Sequence, residues 1–522
     1  MHAFGAHLPL EKCKKPRTGR GFLRIYRGRA DDPFRYIGFS TVWAPAMPPG
    51  LFLSQIVSGE QYNFMTNDMT KGSPMRLLLA FSIPLFIGNV FQQFYSMADT
   101  VIVGRTIGVQ ALAAVGATGA ISFLILGFAQ GLTSGFSVMA AQCFGAGEEE
   151  RLRDSVATSI LLCVGSTLVI TLLAVVTARP LLEVMNTPGD IIDDAWRYIV
   201  VIYYGIGAAI FYNMISGIIR AVGDSRTPLY FLIIACIINI ILDYAFIAFF
   251  GMGVAGAGWA TVIAQLLAGL LCLFYVKLRF PVLHLKKRNW HWDKGFAWQH
   301  LRVGLPMAFQ FSITAVGVMV LQTALNGFGS TAVAGFTAAT KIENLATQAL
   351  VTLGAAMATY AAQNYGAGQP RRIRQGVRAS GKLALVFSLV GGALVVFFCK
   401  GLVSLFLGEN DGAVTAYAQT YLNIVGPFFF ILGLLFIFRN TLQGMGFGGI
   451  PLLAGVSELV VRVAAAMWLA DAWGFSGVCA ASSIAWVLAT ALLLGGYIVI
   501  LNKVERYPAQ YGRVSVNKEE QK

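Results

Sequence analysis

The sequence is poor in charge. Asp, Glu, Lys and Arg make up 12% of 522 residues, against 56% hydrophobic side chains. Globular domains carry about 25% charged residues, so a water-soluble fold is excluded. Paired cysteines are also missing. Cys13, Cys143, Cys163, Cys236, Cys272, Cys399 and Cys479 are scattered without any C-x-x-C spacing, which excludes a disulfide framework or cysteine metal site and leaves buried small hydrophobes. There is no P-loop, no H-E-x-x-H and no G-x-S-x-G, so nothing supports an enzyme. Gly251-Met-Gly253-Val-Ala-Gly256 fits G-x-G-x-x-G by letter, but no strand precedes it and apolar runs flank it; it reads as a tight turn.

What is present is a series of long apolar runs. A helix needs about 20 residues to cross the hydrocarbon core, and runs of that order lie at 77–103, 112–141, 154–177, 192–216, 227–249, 254–278, 299–326, 332–361, 378–400, 415–438, 449–471 and 477–502. They lack the period-two alternation of an outer-membrane barrel. The sequence therefore predicts an all-α integral membrane protein with twelve transmembrane helices, here spans 1 to 12.

The net charge of +14 could point to nucleic acid, but the basic residues sit in loops and tails and form no aromatic-interleaved patch. They report topology instead. Lys and Arg gather before span 1, after span 6 (Lys277, Arg279, Lys286, Lys287, Arg288, Lys294), after span 8 (Arg371, Arg372, Arg374, Arg378) and after span 12 (Lys503, Arg506). The alternate loops hold little beyond Arg105, Arg179, Arg197 and Lys400, with the acids Asp190, Asp193, Asp194 and Asp411. The positive-inside rule then makes both termini cytoplasmic, consistent with an even number of spans.

The chain repeats itself. Gln142-Cys-Phe-Gly-Ala-Gly147 after span 2 answers Gln363-Asn-Tyr-Gly-Ala-Gly368 after span 8; Pro84 answers Pro306, Gly223 to Pro228 answers Gly446 to Pro451, and Gly253-Val-Ala-Gly256 answers Gly474-Phe-Ser-Gly477. An even offset of six helices leaves both halves in one orientation, as parallel repeats about an axis along the membrane normal. This predicts two six-helix bundles around a central cavity: an N-lobe at 71–278, a cytoplasmic linker at 279–298, a C-lobe at 299–502 and a cytoplasmic tail at 503–522. Gly127, Gly131 and Gly135 on span 2 are read as a close-packing seam. Residues 1–70 form a basic, Pro- and Gly-rich extension expected to be disordered, or an upstream-start artefact with translation beginning at Met65 or Met69.

Charged groups at bilayer depth cost about 2.5–3.5 kcal/mol even on the lenient insertion scale, so the few present are informative. The N-terminal half has Asp99 on span 1, with Gln92 and Ser96 at helical spacing, and Asn239 with Asp243 one turn apart on span 5. The topology brings these to one depth in the outer half of the lobe, together with Tyr198 and Thr261 early in spans 4 and 6. Desolvation and like charge disfavour ionisation of such carboxyls, so they can take up a proton or share an alkali cation with other oxygen ligands. The C-terminal half has Lys341 and Glu343 on span 8 and Glu458 with Arg462 on span 11. Glu458 and Arg462 read as a mutually neutralising pair, Lys341 as a weak candidate, and Arg439 as a headgroup or cytoplasmic anchor.

Taken together, Ile83-Pro84, Ala98-Asp-Thr-Val-Ile-Val-Gly-Arg105, the paired Gly-Ala-Gly loops, Arg220-Ala-Val-Gly-Asp-Ser-Arg-Thr-Pro228 and Asn239-Ile-Ile-Leu-Asp243 resemble the multidrug and toxic compound extrusion (MATE) family over about residues 70 to 500. The Asn-x-x-x-Asp pattern resembles its DinF-like branch. The resemblance implies an H⁺- or Na⁺-coupled antiporter in the bacterial cytoplasmic (inner) membrane, exporting small organic, cationic compounds by alternating access, monomeric, in contact with membrane lipids and not with nucleic acid. It implies a cation or proton site at Asp99, Asn239, Asp243 and Thr261, supported by Gln92 and Tyr198, with Pro84 as a point of bending. No cofactor is expected beyond H⁺ or Na⁺, and no metal beyond Na⁺ at those four residues. Span 7 has Gln310 and Gln322 where another branch has an acid, which argues against a second cation site in the C-lobe. The alternatives are a lipid-linked oligosaccharide flippase of the same superfamily and a passive facilitator or channel.

Overall fold

The computed structural model describes residues 68–185, 187–407 and 412–507. Ten helices among them are each long and apolar enough to cross a bilayer, and the pair Ile192–Tyr204 and Ile206–Ala221, bent by 45°, makes an eleventh span. The last of the ten, Gly449–Arg506, runs for 58 residues and holds two crossings, because Gly474 breaks it at φ 57°. Only a residue without a Cβ takes that conformation cheaply. The twelve expected spans are thus present. The letter match to a nucleotide motif is indeed a turn, with Gly251 and Gly253 both at positive φ between spans 5 and 6.

The fold is inverted relative to a soluble bundle. Span 3, Glu149–Val184, exposes Val164, Leu168, Leu172 and Val176 along one ridge, an outer surface that lipid would cover. Exposed Trp290, Trp292 and Trp298 near one end and Trp468 and Trp473 near the other are of the kind that settles at membrane interfaces.

Two buried cores correspond to the two halves, with one exchange. Leu78 and Phe81 at the start of span 1 (Pro74–Thr106) belong to the core of the C-terminal half. Val303, Met307 and Ala308 at the start of span 7 (Lys294–Asn326) belong to the core of the N-terminal half. Each half therefore lends the first stretch of its leading helix to the other. The seam expected on span 2 is one of these exchanges: a methyl group at Gly131 would lie 2.6 Å from the Met307 carbonyl oxygen, and one at Gly135 would run into Gly304.

At the end carrying the basic loops the halves cross. Gln142 donates from Nε2 to the Gly444 carbonyl at the end of span 10 (2.8 Å), and Gln363 donates from Nε2 to the Ala221 carbonyl at the end of span 4 (2.8 Å). A Cβ at Gly145 would collide with the Gln363 carbonyl, and one at Gly366 with that of Gln142. Both glutamines are buried.

Two expected boundaries move. Met69 is fully buried, its N–H donates to Gln363 Oε1 (2.8 Å), and Asn364 and Arg372 donate to its carbonyl; Met69, expected in the extension, is therefore packed with the helices. Span 12 continues to Arg506, with Glu505 paired to Arg374 (2.8 Å), so the tail expected from 503 begins after the helix. The remainder of both expected segments, 1–67 and 508–522, lies outside the described residues. The basic linker packs on the start of span 3: Lys286 and Arg288 pair with Glu150, and Asn289 donates to Asp154 (2.7 Å).

Leucine at position 366 is expected to hold the crossing apart. Spin labels at residue 148, in the loop after span 2, and residue 371, in the first turn of the helix Pro370–Phe397, should then show a longer distance distribution by double electron–electron resonance. Gly165→Ala, at a position with open space around it, should leave the distribution unchanged. An unchanged distribution in Gly366→Leu would refute the crossing as the closing contact.

Candidate functional site

Span 5 supplies Asn239 and Asp243, one helical turn apart and both fully buried. All four of their side-chain polar atoms, and Oδ1 of Asp99 on span 1, have no hydrogen-bond partner among the described residues. Buried polar groups are almost always satisfied, and an unsatisfied one is costly in an apolar interior. Such an acceptor-rich set suits a proton or a hard cation. A π-helical turn, Ala245–Phe249, follows Asp243 within two residues; such turns appear often at functional sites.

The structure brings most of the predicted residues together. Asp99 and Asp243 interact electrostatically, and Tyr198 interacts with both. Thr261 joins through Tyr95, whose hydroxyl lies 3.1 Å from Thr261 Oγ1 and which also interacts with the two carboxyls. Tyr95 was not among the predicted residues. It lies one turn before Asp99 on span 1, a face shared with Gln92, and that spacing was the available signal. Ser96, predicted to share the polar stripe, is exposed instead. Gln92 and Pro84 line a cavity of about 290 Å³ beside Tyr95, and span 1 runs through Pro84 as one continuous helix.

A second cavity of about 370 Å³ lies between the halves, lined from one side by Asn89, Gln130 and Arg220 and from the other by Gln310, Arg439 and Gln443. Arg220 lines both cavities. The C-terminal half gathers charge differently. Glu458 is held by Arg462 (2.6 Å) and by Arg439 (2.7 Å), so two guanidinium groups share one carboxylate. The expected pair is a triad, and Arg439, read from sequence as a surface anchor, is buried in the cavity wall. Gln310 on span 7 accepts a hydrogen bond from Gln443. Glu343 accepts from the Tyr421 hydroxyl (2.6 Å). Lys341 is exposed and has no ion pair among the described residues, so it does not join the triad. No group of three or more His, Cys, Asp or Glu able to hold a metal occurs among the described residues.

Two like-built halves, twelve spans and an internal cavity define a two-lobed polytopic membrane protein. The chain belongs to the MatE family: the family model matches it twice, over residues 84–245 and 306–468, one match in each half. It is 28% identical to the probable multidrug resistance protein YpnP of Bacillus subtilis, over 73% of this chain and 84% of the relative. It is 27% identical to the FAD transporter of Shewanella oneidensis, over 70% of this chain and 82% of the relative. Its fold matches that of a crystal structure of MATE in the bent conformation with a TM-score of 0.79 at 24% identity, covering 86% of this chain and all of that one.

Removing one partner of a buried ion pair costs about 3–5 kcal/mol because the other charge is left bare. Glu458→Gln leaves two bare guanidinium groups, whereas Arg462→Gln leaves Glu458 paired with Arg439. Thermal unfolding of the purified protein should therefore show the larger loss for Glu458→Gln; an equal or smaller loss would contradict the triad.

Proposed function

We propose that the protein is a cation-coupled exporter of small organic compounds in a bacterial cytoplasmic membrane, working by antiport with H⁺ or Na⁺. The observation that carries this reading is the cluster of unpartnered buried atoms on Asp99, Asn239 and Asp243, next to Tyr95 in the wall of the smaller cavity, which shares Leu85, Asn89, Gln130 and Arg220 with the cavity that both halves line. The relatives, a probable multidrug resistance protein and an FAD transporter, agree with export of small molecules and leave the charge of the cargo open.

With the basic end cytoplasmic, the crossing at Gly145 and Gly366 closes the cytoplasmic side and Asp99 and Asp243 lie toward the outside. The carboxyls then take up a proton or Na⁺ from outside, with Thr261 and Tyr95 completing the oxygen set. Span 1 has a weak point at Pro84, which lacks an N–H and leaves the Ala80 carbonyl without its helical partner. Charge neutralisation at Asp99 changes the position of span 1, cargo leaves, and the lobes reorient to load again from the cytoplasm. Linkage requires that cargo and cation weaken each other's binding by the same factor. The flippase alternative gains from the guanidinium groups in the cavity, but a volume of about 370 Å³ fits a small-molecule pocket, and Lys341 takes no part in it.

Purified protein in liposomes should expel a fluorescent cargo under an imposed ΔpH or ΔNa⁺, and efflux should stop when that gradient is collapsed. Asp99→Asn and Asp243→Asn, expressed at parental levels, should abolish the uphill component. Parental rates in Asp99→Asn would refute the site, and efflux indifferent to every imposed gradient would make the protein a passive facilitator.

A further inference from the structure

The two adjoining cavities have no Asp or Glu in their linings, while Arg220 lines both and Arg439 lines the central one. Arg220 makes no hydrogen bond or ion pair with any described residue; its electrostatic neighbours are Tyr212 and Cys272. Asp224, one turn further on, is engaged instead in capping span 5, accepting from the Thr227 hydroxyl and from the Arg226 and Thr227 N–H groups. The guanidinium of Arg220 therefore keeps its charge and its donors for the cavity. On the opposite wall Arg439 is half-neutralised: it shares Glu458 with Arg462, and its Nε has no partner among the described residues; a second acid, Glu343, acts on Arg462 and is held by the Tyr421 hydroxyl, and neither it nor Glu458 lines a cavity. The acids of the N-terminal half line neither cavity; Asp99 and Asp243 stand behind Tyr95 in the wall of the smaller one. The central cavity is also lined by Gln130, by Asn440 and Gln443, which each give one amide hydrogen to a neighbour and keep another, and by Phe81, Phe123, Phe311 and Phe436.

Resting on the exporter reading above, we propose that the central cavity takes a planar aromatic anion, a ring system bearing a carboxylate, sulfonate or phosphate, and not an organic cation. A forked guanidinium matches such oxyanions in geometry as well as charge. A cation in the same place would meet two guanidinium groups and no carboxylate among the lining residues, the nearest being Glu458 behind Arg439. The expectation of cationic cargo followed from the family resemblance; the charge on the cavity wall favours the opposite sign.

The test uses two probes with one ring system and opposite charge, pyrene-1-sulfonate and pyren-1-ylmethylammonium. Binding to the purified full-length protein in lipid nanodiscs is followed by fluorescence anisotropy, against protein-free nanodiscs. The sulfonate should bind about tenfold more tightly than the ammonium, as expected for one charge-assisted contact, and added salt should weaken it selectively. Arg220→Gln should weaken the sulfonate by about tenfold and leave the ammonium unchanged or slightly tighter. Equal or tighter binding of the ammonium to the parent protein, or an unaltered sulfonate affinity in a folded Arg220→Gln, would overturn the proposal. If Arg220→Gln does not fold, Arg439→Gln, which leaves Glu458 paired with Arg462, together with the parent's own charge preference, decides the matter. Binding is read here without any gradient. Its failure would leave gradient-driven export standing, and failure of gradient-driven efflux would leave the charge preference standing.

Discussion

The rest of the structure depends on a backbone crossing at the basic end, where Gly145 and Gly366 each sit against the carbonyl of a glutamine in the other half. No side chain can stand between those backbones, so the contact is either made fully or lost. Gln142 and Gln363 complete it by reaching the ends of spans 10 and 4. Close-packed interfaces of this kind switch between discrete arrangements and do not deform smoothly. The exchange of helix starts, Phe81 into one core and Val303 into the other, extends the same crossing inward. Together these contacts floor the central cavity and align the halves about it.

The repeat has diverged where it matters chemically. An offset of 222 takes Pro84 to Pro306 and Asp99 to Leu321; an offset of 223 takes Gly223 to Gly446, Asn239 to Arg462 and Asp243 to Ala466. The C-terminal half has therefore kept the backbone of the N-terminal half and replaced its acidic cluster with apolar residues and a guanidinium. Arg220 maps by the same offset to Gln443, and both line the cavity. One fold thus carries two electrostatic programmes: an acidic pocket in one lobe, and a positive wall shared between them.

Much of this was legible in the sequence because a membrane makes polarity expensive. Spans follow from the length of apolar runs, the repeat from glycines and prolines at matching offsets, and Asp99, Asn239 and Asp243 stand out because few other polar groups sit at that depth. Legibility failed where depth no longer filters. Arg439 lies near a helix end, where a charge is cheap at the surface, and only tertiary packing turns it onto Glu458 and the cavity. Arg220 was hidden inside a loop motif for the same reason. On span 1, Gln92, Ser96 and Asp99 fit helical spacing, yet the rotation of that helix against spans 5 and 6 selects Tyr95 over Ser96, and no pattern within a single helix fixes that rotation.

Span 1 ties these parts together. Its start is fixed in the core of the C-terminal half, its middle lines both cavities through Leu85 and Asn89, and Tyr95 and Asp99 on its second half meet the acidic cluster. This placement constrains how cargo and coupling ion could compete. Two cations could exclude each other by charge alone, but an anion in the cavity and a cation at Asp99 attract, an attraction that favours joint occupancy. For an anionic cargo, antiport therefore requires a steric or conformational opposition stronger than that attraction, and span 1 is the element that touches both sites. Its proline lies between the buried start and Tyr95, so bending there moves the Asp99 end relative to a fixed base. The Tyr95–Thr261 hydrogen bond is the contact such a motion would have to break or preserve, which makes it the natural measure of how the two sites communicate.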